Sequence, residues 1–119
     1  RTRSMIAHLI LLKPRPDLTE TDRQAVLDAF ADAASRIPSV KRCRLGRRVT
    51  HGLPGYEGVM RGGFEYSAIV EFEDLGGLRA YLTHPAHDAL GRYFTTAAAD
   101  ALAYDYEMVD LRVRNAEME

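Results

Sequence analysis

The spacing of hydrophobic and polar residues along the chain predicts four strands. Residues 5–13 form a short apolar run that Pro14 and Pro16 close, which is typical of a strand buried on both faces. Apolar and polar residues alternate in three later segments, and these predict strands over residues 40–49, 64–73 and 102–113. In the first of these, Gly46 interrupts the alternation and predicts a β-bulge.

The segment between the first two strands has the pattern of an amphipathic helix over residues 20–36. Thr19 with Asp22 approximates a capping box at its start, and Pro38 ends it. Its apolar side, at spacings of four, three and four, consists of Val26, Phe30, Ala33 and Ile37. The opposite, polar side consists of Arg23, Asp28, Asp32 and Ser35.

A second helical region follows the third strand. Asp74 is expected to cap a short helix over residues 74–82. Thr83 or His84 then caps a second helix, with Pro85 in its first turn, that runs to about residue 99. The apolar side of that helix consists of Leu90, Phe94, Ala97 and Ala98. A loop over residues 50–63, which carries five glycines, separates the second and third strands.

This order of elements predicts an α+β fold. The pattern is βαββαβ, with a pair of helices in the place of the second α, and it is that of a ferredoxin-like protomer. Such a protomer has an antiparallel four-stranded sheet under helices. The helices cover one face of the sheet only. The other face is still apolar, either at Ala7, Leu9, Leu11 and Ile69 or at the residues on the opposite side of the same strands. An uncovered apolar face predicts a homodimer in which two copies pair sheet against sheet.

Composition excludes several classes of protein. The chain has 119 residues and a net charge of −1, which suits one globular domain and gives no basis for nucleic-acid binding. Its one cysteine, Cys43, excludes an internal disulfide and a cysteine-rich zinc site, and favours the cytoplasm. No apolar run approaches the length of a membrane span, so no membrane partner is expected. Met5 is expected to be the natural start, with residues 1–4 a cloning remnant and residues 114–119 a tail.

Four short motifs give the chain a resemblance to a known family. They are the strand at residues 5–13, the Ile-Pro-Ser-Val at 37–40, the Tyr-Leu-Thr-His-Pro-Ala-His at 81–87 and the Tyr-Asp-Tyr at 104–106. Together they resemble the stress-responsive dimeric α/β-barrel (Dabb) family, as one domain over residues 5–113. The resemblance implies that two ferredoxin-like protomers pair their sheets into a dimeric barrel.

The same resemblance implies a site. Some members of the family are polyketide cyclases in which the second histidine of His-Pro-x-His is the base and the preceding tyrosine its partner. These positions are His87 and Tyr81 in this chain, in a pocket between helices and sheet. Near a helix N-terminus His87 is expected to stay neutral, and the Tyr81 hydroxyl is expected to hydrogen-bond an enolate oxygen. Ligand-lining residues are expected to be His8, Ile10, Leu12, Phe30, Tyr66, His84, Phe94 and Ala98. No cofactor and no metal is expected.

The candidate site residues also have purely structural interpretations. His87 could brace the helix corner, Tyr81 and His8 could be core residues, and His84 could act only as a helix cap. The His-x-x-His spacing alone is a weak zinc signal. The basic run at residues 41–48 is better explained by a solvated strand edge than by an anion site. The function therefore stays open between a cofactor-free cyclase or lyase, a non-catalytic stress-associated binding dimer and a cofactor-free monooxygenase-like enzyme.

Overall fold

The computed structural model describes residues 5–112 and has the predicted ferredoxin-like architecture. The elements, in chain order, are β1 (Met5–Pro14), α1 (Glu20–Arg36), β2 (Val40–Arg47), β3 (Tyr66–Phe72), α2 (Leu75–Thr83), α3 (Pro85–Thr96) and β4 (Ala98–Met108). The strands form one antiparallel sheet in the order β2-β3-β1-β4. Within residues 5–112, no helix combines the length and the apolar character that crossing a membrane would need.

The helix starts are set locally, as the sequence predicts. The Thr19 side chain accepts from the Asp22 amide and the Asp22 carboxylate accepts from the Thr19 amide, which completes a capping box. The Asp74 carboxylate caps α2 by accepting from the Gly77 amide at 2.8 Å. His84 caps α3, because its Nδ1 accepts from the Ala86 amide at 3.0 Å. The corner between α2 and α3 is therefore held by His84 itself.

The two faces of the sheet differ in what covers them. The face under the helices is buried, and its core residues are Ile10, Ala68, Val70 and Phe72. The opposite face, which we call the open face, carries the central row Ile69, Leu9 and Tyr104, paired across three strands. Its β4 residues are 38–54% exposed and consist of Leu102, Tyr104, Tyr106 and Met108. The apolar face expected from the sequence is thus present and is open in the single chain.

The end of α3 and the start of β4 differ from the prediction. The helix ends at Thr96, not near residue 99, and β4 spans Ala98–Met108 where the prediction was 102–113; residue 113 lies outside the described residues. The Ala97 carbonyl accepts from the Arg15 amide, and Ala98 pairs with Pro14 of β1. Pairing with β1 therefore overrides the helix preference of the alanine run.

The bulge predicted near Gly46 is also misplaced. The register of β2 against β3 shifts between Val40 and Arg42, whereas Gly46 pairs in register with Ser67. A Cβ on Gly46 would lie 2.8 Å from the Ser67 Oγ, so a larger residue here would make the serine hydroxyl move. The arginines of β2 lie opposite glutamates of β3, with Arg44 to Glu71 at 3.6 Å. These cross-strand pairs agree with the solvated-edge interpretation of the basic run.

Candidate functional site

Three ring side chains from three elements meet on the helix side of the sheet. His8 comes from β1, Tyr81 from the last turn of α2 and His87 from the first turn of α3. The Tyr81 ring centroid lies 4.8 Å from that of His87 and 5.9 Å from that of His8, both edge-on. Phe72 packs on Tyr81 at 5.1 Å. We call His8, Tyr81 and His87 the ring cluster.

The Tyr81 hydroxyl is the unusual group in the ring cluster. Tyr81 is 1% exposed, and its hydroxyl oxygen has no hydrogen-bond partner among residues 5–112. Leaving such a group unpaired costs about 1–3 kcal/mol. Burial, with a smaller effect from Cys43, raises the pKa of Tyr81 well above its usual value. The hydroxyl therefore keeps its proton at neutral pH. It can donate a hydrogen bond, but no acceptor within residues 5–112 receives one.

His8 is held by a carboxylate from β4. Its Nδ1 donates to the Asp105 Oδ1 at 2.5 Å, and the two residues are direct partners in the β1–β4 register. His8 is 7% exposed, whereas the Asp105 side chain is 42% exposed. A histidine whose Nδ1 donates to a carboxylate has its tautomer and ring orientation fixed. Its Nε2 then remains for a ligand.

His87 sits in an environment that disfavours its charged form. It is partly buried, and burial, with a smaller repulsion from His8, lowers the pKa of His87 below the ordinary value of 6.5. Asp88 opposes the shift but does not cancel it. The ring is therefore neutral near pH 7 and able to accept a proton, as a general base requires.

A narrow apolar cavity of about 60 Å³ lies between α1, α3 and the sheet. Five residues that the sequence analysis expected to contact ligand line it: Ile10, Leu12, Phe30, Tyr66 and Phe94. The other three, His8, His84 and Ala98, are not among the lining residues. Tyr81 and His87, which the sequence analysis placed in this pocket, do not line it either. Two residues near the ring cluster do, since Ile10 follows His8 on the same face of β1 and Leu90 lies one turn beyond His87.

Two residues of the site were missed from the sequence. Asp105 was noted in a strand and in the Tyr-Asp-Tyr motif but given no role in the site, since its pairing with His8 depends on a register that alternation does not give. Arg23 was placed on the polar side of α1, yet it lines the cavity and its side chain is 27% exposed. Its position three residues before Val26 was the available signal, because residues three apart share a helix face.

The chemistry available at the site is proton transfer and hydrogen bonding. Within residues 5–112, no group of three or more His, Cys, Asp and Glu side chains is placed to hold a metal ion. Cys43 is half-buried, and burial raises the pKa of its thiol. It is therefore not an activated nucleophile. A neutral histidine, a protonated tyrosine and an oriented second histidine remain as the reactive groups.

Comparison with known proteins agrees with this architecture. The chain is 26% identical to the olivetolic acid cyclase of Cannabis sativa over 101 residues, which is 85% of this chain and 94% of the cyclase. Hydroxynitrile lyase from Passiflora edulis superposes with a TM-score of 0.77 at 12% identity, over 94% of this chain and 100% of the lyase. A dimeric ferredoxin-like protein of unknown function from Thermobifida fusca does so with a TM-score of 0.70 at 22% identity, over 90% and 93%. At these identities the structural likenesses show the fold alone.

The family profile described as "Stress responsive A/B Barrel Domain" (Dabb) matches residues 6–108. Apart from Met5, that match contains all four strands, α1 to α3 and the ring cluster. This chain therefore belongs to the stress-responsive A/B barrel family.

Proposed function

We propose that this protein binds a small carbonyl-bearing molecule beside the ring cluster and catalyses cofactor-free proton transfer on it, with His87 as the base. The observation that carries the proposal is the buried, unpartnered Tyr81 hydroxyl next to a neutral His87. A substrate carbonyl would supply the acceptor that the hydroxyl lacks. The 26% identity to a cyclase over most of both chains supports the same class of reaction.

The proposed reaction is an intramolecular aldol step of the polyketide cyclase type. His87 takes the proton from a carbon next to a carbonyl, and the negative charge moves to the carbonyl oxygen. The Tyr81 hydroxyl donates a hydrogen bond to that enolate oxygen. The carbanion carbon then forms a bond with a second carbonyl carbon, and the resulting alkoxide takes the proton back from His87. His8, oriented by Asp105, positions the substrate through Nε2.

The direct test is incubation with synthetic linear poly-β-ketones and detection of cyclised product by mass spectrometry. Product above the uncatalysed rate supports the proposal. Saturable binding without any product would favour the non-catalytic binding alternative. Uptake of oxygen that depends on a phenolic substrate would instead favour the monooxygenase-like alternative.

Replacing Tyr81 by phenylalanine should separate stability from activity. Because the hydroxyl has no partner in the described chain, its removal should leave the free energy of unfolding unchanged or raise it by up to about 1 kcal/mol. Turnover should fall about 10²-fold, as for loss of one oxyanion donor. Urea unfolding and initial rates measure the two effects. A loss of stability of 1 kcal/mol or more would show that the hydroxyl serves the fold.

The lowered pKa of His87 predicts a pH dependence with a definite sign. The unfolded chain binds the proton first as pH falls below 6.5, so stability from this group is complete above pH 6.5 and decreases towards the folded pKa. The acid limb of kcat/KM should likewise have its midpoint below pH 6.5. Urea unfolding above and below pH 6.5 measures the free energy of unfolding. As the pH falls, this free energy should decrease less in His87→Gln than in the wild type. An equal loss in both would contradict this assignment.

We also infer a homodimer formed through the open face, in the cytoplasm. The β4 side chains of this face are exposed and apolar, and with the partly exposed leucines of β1 they form a contiguous patch of the kind that marks an interface. Some solved relatives of similar fold are dimeric. A single cysteine, Cys43, which can form no disulfide within the chain, is in keeping with a reducing compartment.

A further inference from the structure

The apolar cavity leads outwards into a polar groove. The groove has a volume of about 470 Å³ and lies between α1 and the ends of β2 and β3. Its charged lining residues are Glu20, Arg23, Arg47 and Glu65. Four residues belong to both spaces and so mark the mouth of the cavity: Arg23, Leu27, Leu45 and Tyr66. An apolar cavity that opens into a polar groove suits an amphiphilic ligand, which has an apolar chain and a polar end.

Arg23 spans this mouth from α1 to β3. Its Nη1 donates to the Tyr66 hydroxyl at 2.7 Å, and its guanidinium carbon lies 5.8 Å from the centre of the Tyr66 ring. Nη1 also lies 3.6 Å from a Glu65 carboxylate oxygen. Within residues 5–112 Nη2 donates no hydrogen bond, since the bond to Tyr66 uses Nη1. One edge of the guanidinium is therefore available to an acceptor at the boundary between cavity and groove.

The hydrogen bonds at the mouth leave a second donor. The Tyr66 oxygen accepts from Arg23, so its own O–H proton is not used in that bond. The only charge close to both groups is Glu65, which lies 3.6 Å from Arg47 as well as from Arg23 within the described residues. Glu20 is 96% exposed and 3.9 Å from Nε, so water screens it. The mouth thus combines an arginine and a hydroxyl donor. Its charges are balanced, because Arg47, with its side chain 74% exposed, is screened by water as Glu20 is, which leaves Arg23 beside Glu65.

We propose that Arg23 and Tyr66 bind the carboxylate of a carboxylic-acid ligand whose apolar chain occupies the cavity. This inference rests on the proposed function, since it names the class of substrate presented to the ring cluster. Arginine suits the role because its planar fork matches the two oxygens of a carboxylate. The charge-assisted bonds form where the groove is only partly solvated.

The sheet register sets the length of such a ligand. Tyr66 pairs with Leu12 and Val70 pairs with His8, so the mouth and the ring cluster are four residues apart along β1. At roughly 3.3 Å per residue this is roughly 13 Å. A chain of about ten bonds spans that distance. The expected ligand is therefore a long-chain acid whose reactive carbonyl lies about ten bonds from its carboxylate.

Calorimetric titration of the full chain with decanoate and with decanol, below micelle formation, tests this assignment. The wild type should prefer decanoate about 10- to 100-fold, as expected for charge-assisted hydrogen bonds. Arg23→Gln should lose that preference and keep its affinity for decanol. Tyr66→Phe should lose part of the preference for decanoate. Arg23→Lys should keep more of that preference than Arg23→Gln does.

Arg36→Gln provides a matched control, since Arg36 is on the same helix and pairs only with Asp32 in the described chain. It should retain the full preference. Three outcomes would overturn the proposal: equal affinity of the wild type for decanoate and decanol, equal losses in Arg23→Gln and Arg36→Gln, or tighter binding of decyl phosphate than of decanoate. Thermal unfolding of each variant confirms that binding is compared between folded proteins.

The carboxylate site and the catalytic role of His87 can fail independently, and the measurements tell the two failures apart. The titration measures binding of an unreactive acid, so it does not require His87 to be a base. A lost decanoate preference in Arg23→Gln with unchanged turnover in His87→Gln would leave the mouth site standing and remove the catalytic assignment. The reverse pattern would keep the base and remove the carboxylate site.

Discussion

Replacement of His87 by glutamine should lower kcat/KM for a carbonyl substrate about 10²- to 10⁴-fold, the usual contribution of a general base. Glutamine keeps a polar side chain of similar size but cannot take up the proton. The fold should survive, because the α3 N-terminus is capped by His84 and the capping contact does not involve the His87 ring. Initial rates at substrate concentrations well below KM measure the effect.

His51 offers a matched control for this substitution. It lies exposed in the loop between β2 and β3, where its Nδ1 accepts from the Leu53 amide. His51→Gln should retain the wild-type rate. Equal rates for His87→Gln and the wild type would show that another group is the base, and His8, oriented by Asp105, would be the next to replace.

Replacement of Leu9 by aspartate should convert a dimer into a monomer. Leu9 lies between Ile69 and Tyr104 in the middle row of the open face. A two-fold interface contains each substituted residue twice, so two unpaired carboxylates would be buried when the sheets meet. We expect the dissociation constant to rise at least roughly a thousand-fold. Sedimentation equilibrium at micromolar protein measures it.

The protomer itself should tolerate the same change, since the core side of the sheet does not use Leu9. Leu53→Asp is the control, because it makes the same substitution at a leucine that is 56% exposed in the β2–β3 loop, away from the open face. It should remain dimeric. A dimeric Leu9→Asp protein would place the interface elsewhere than on the open face.

Local signals explain why most of the fold was predictable from the sequence. The capping contacts of Thr19 and Asp74 involve partners three residues away, so their residue types alone indicate where α1 and α2 begin. The apolar character of both faces of β1 likewise predicted that one face would meet helices and the other a partner surface. These features need no knowledge of distant contacts.

The errors arise where distant parts of the chain compete with local preference. The alanines after Thr96 favour helix, yet the backbone of Arg15 and Pro14 draws them into the sheet. Asp105 becomes part of the site only through its register against His8, and Arg23 only because Tyr66 of β3 lies across from it. The family resemblance of the motifs at residues 5–13 and 81–87 pointed to the members of the ring cluster, but these supporting side chains needed the three-dimensional pairing.

The two faces of β1 have a consequence for the kind of sequence change this fold can absorb. Even-numbered residues such as His8 point to the helices, and odd-numbered residues such as Leu9 point to the open face. A single-residue insertion or deletion near the start of β1 would exchange the two sets. It would send a leucine to the ring cluster and the histidine to the pairing surface. Point substitutions can therefore alter the proposed catalysis or the proposed assembly separately, whereas a one-residue shift of register in this strand would disrupt both together.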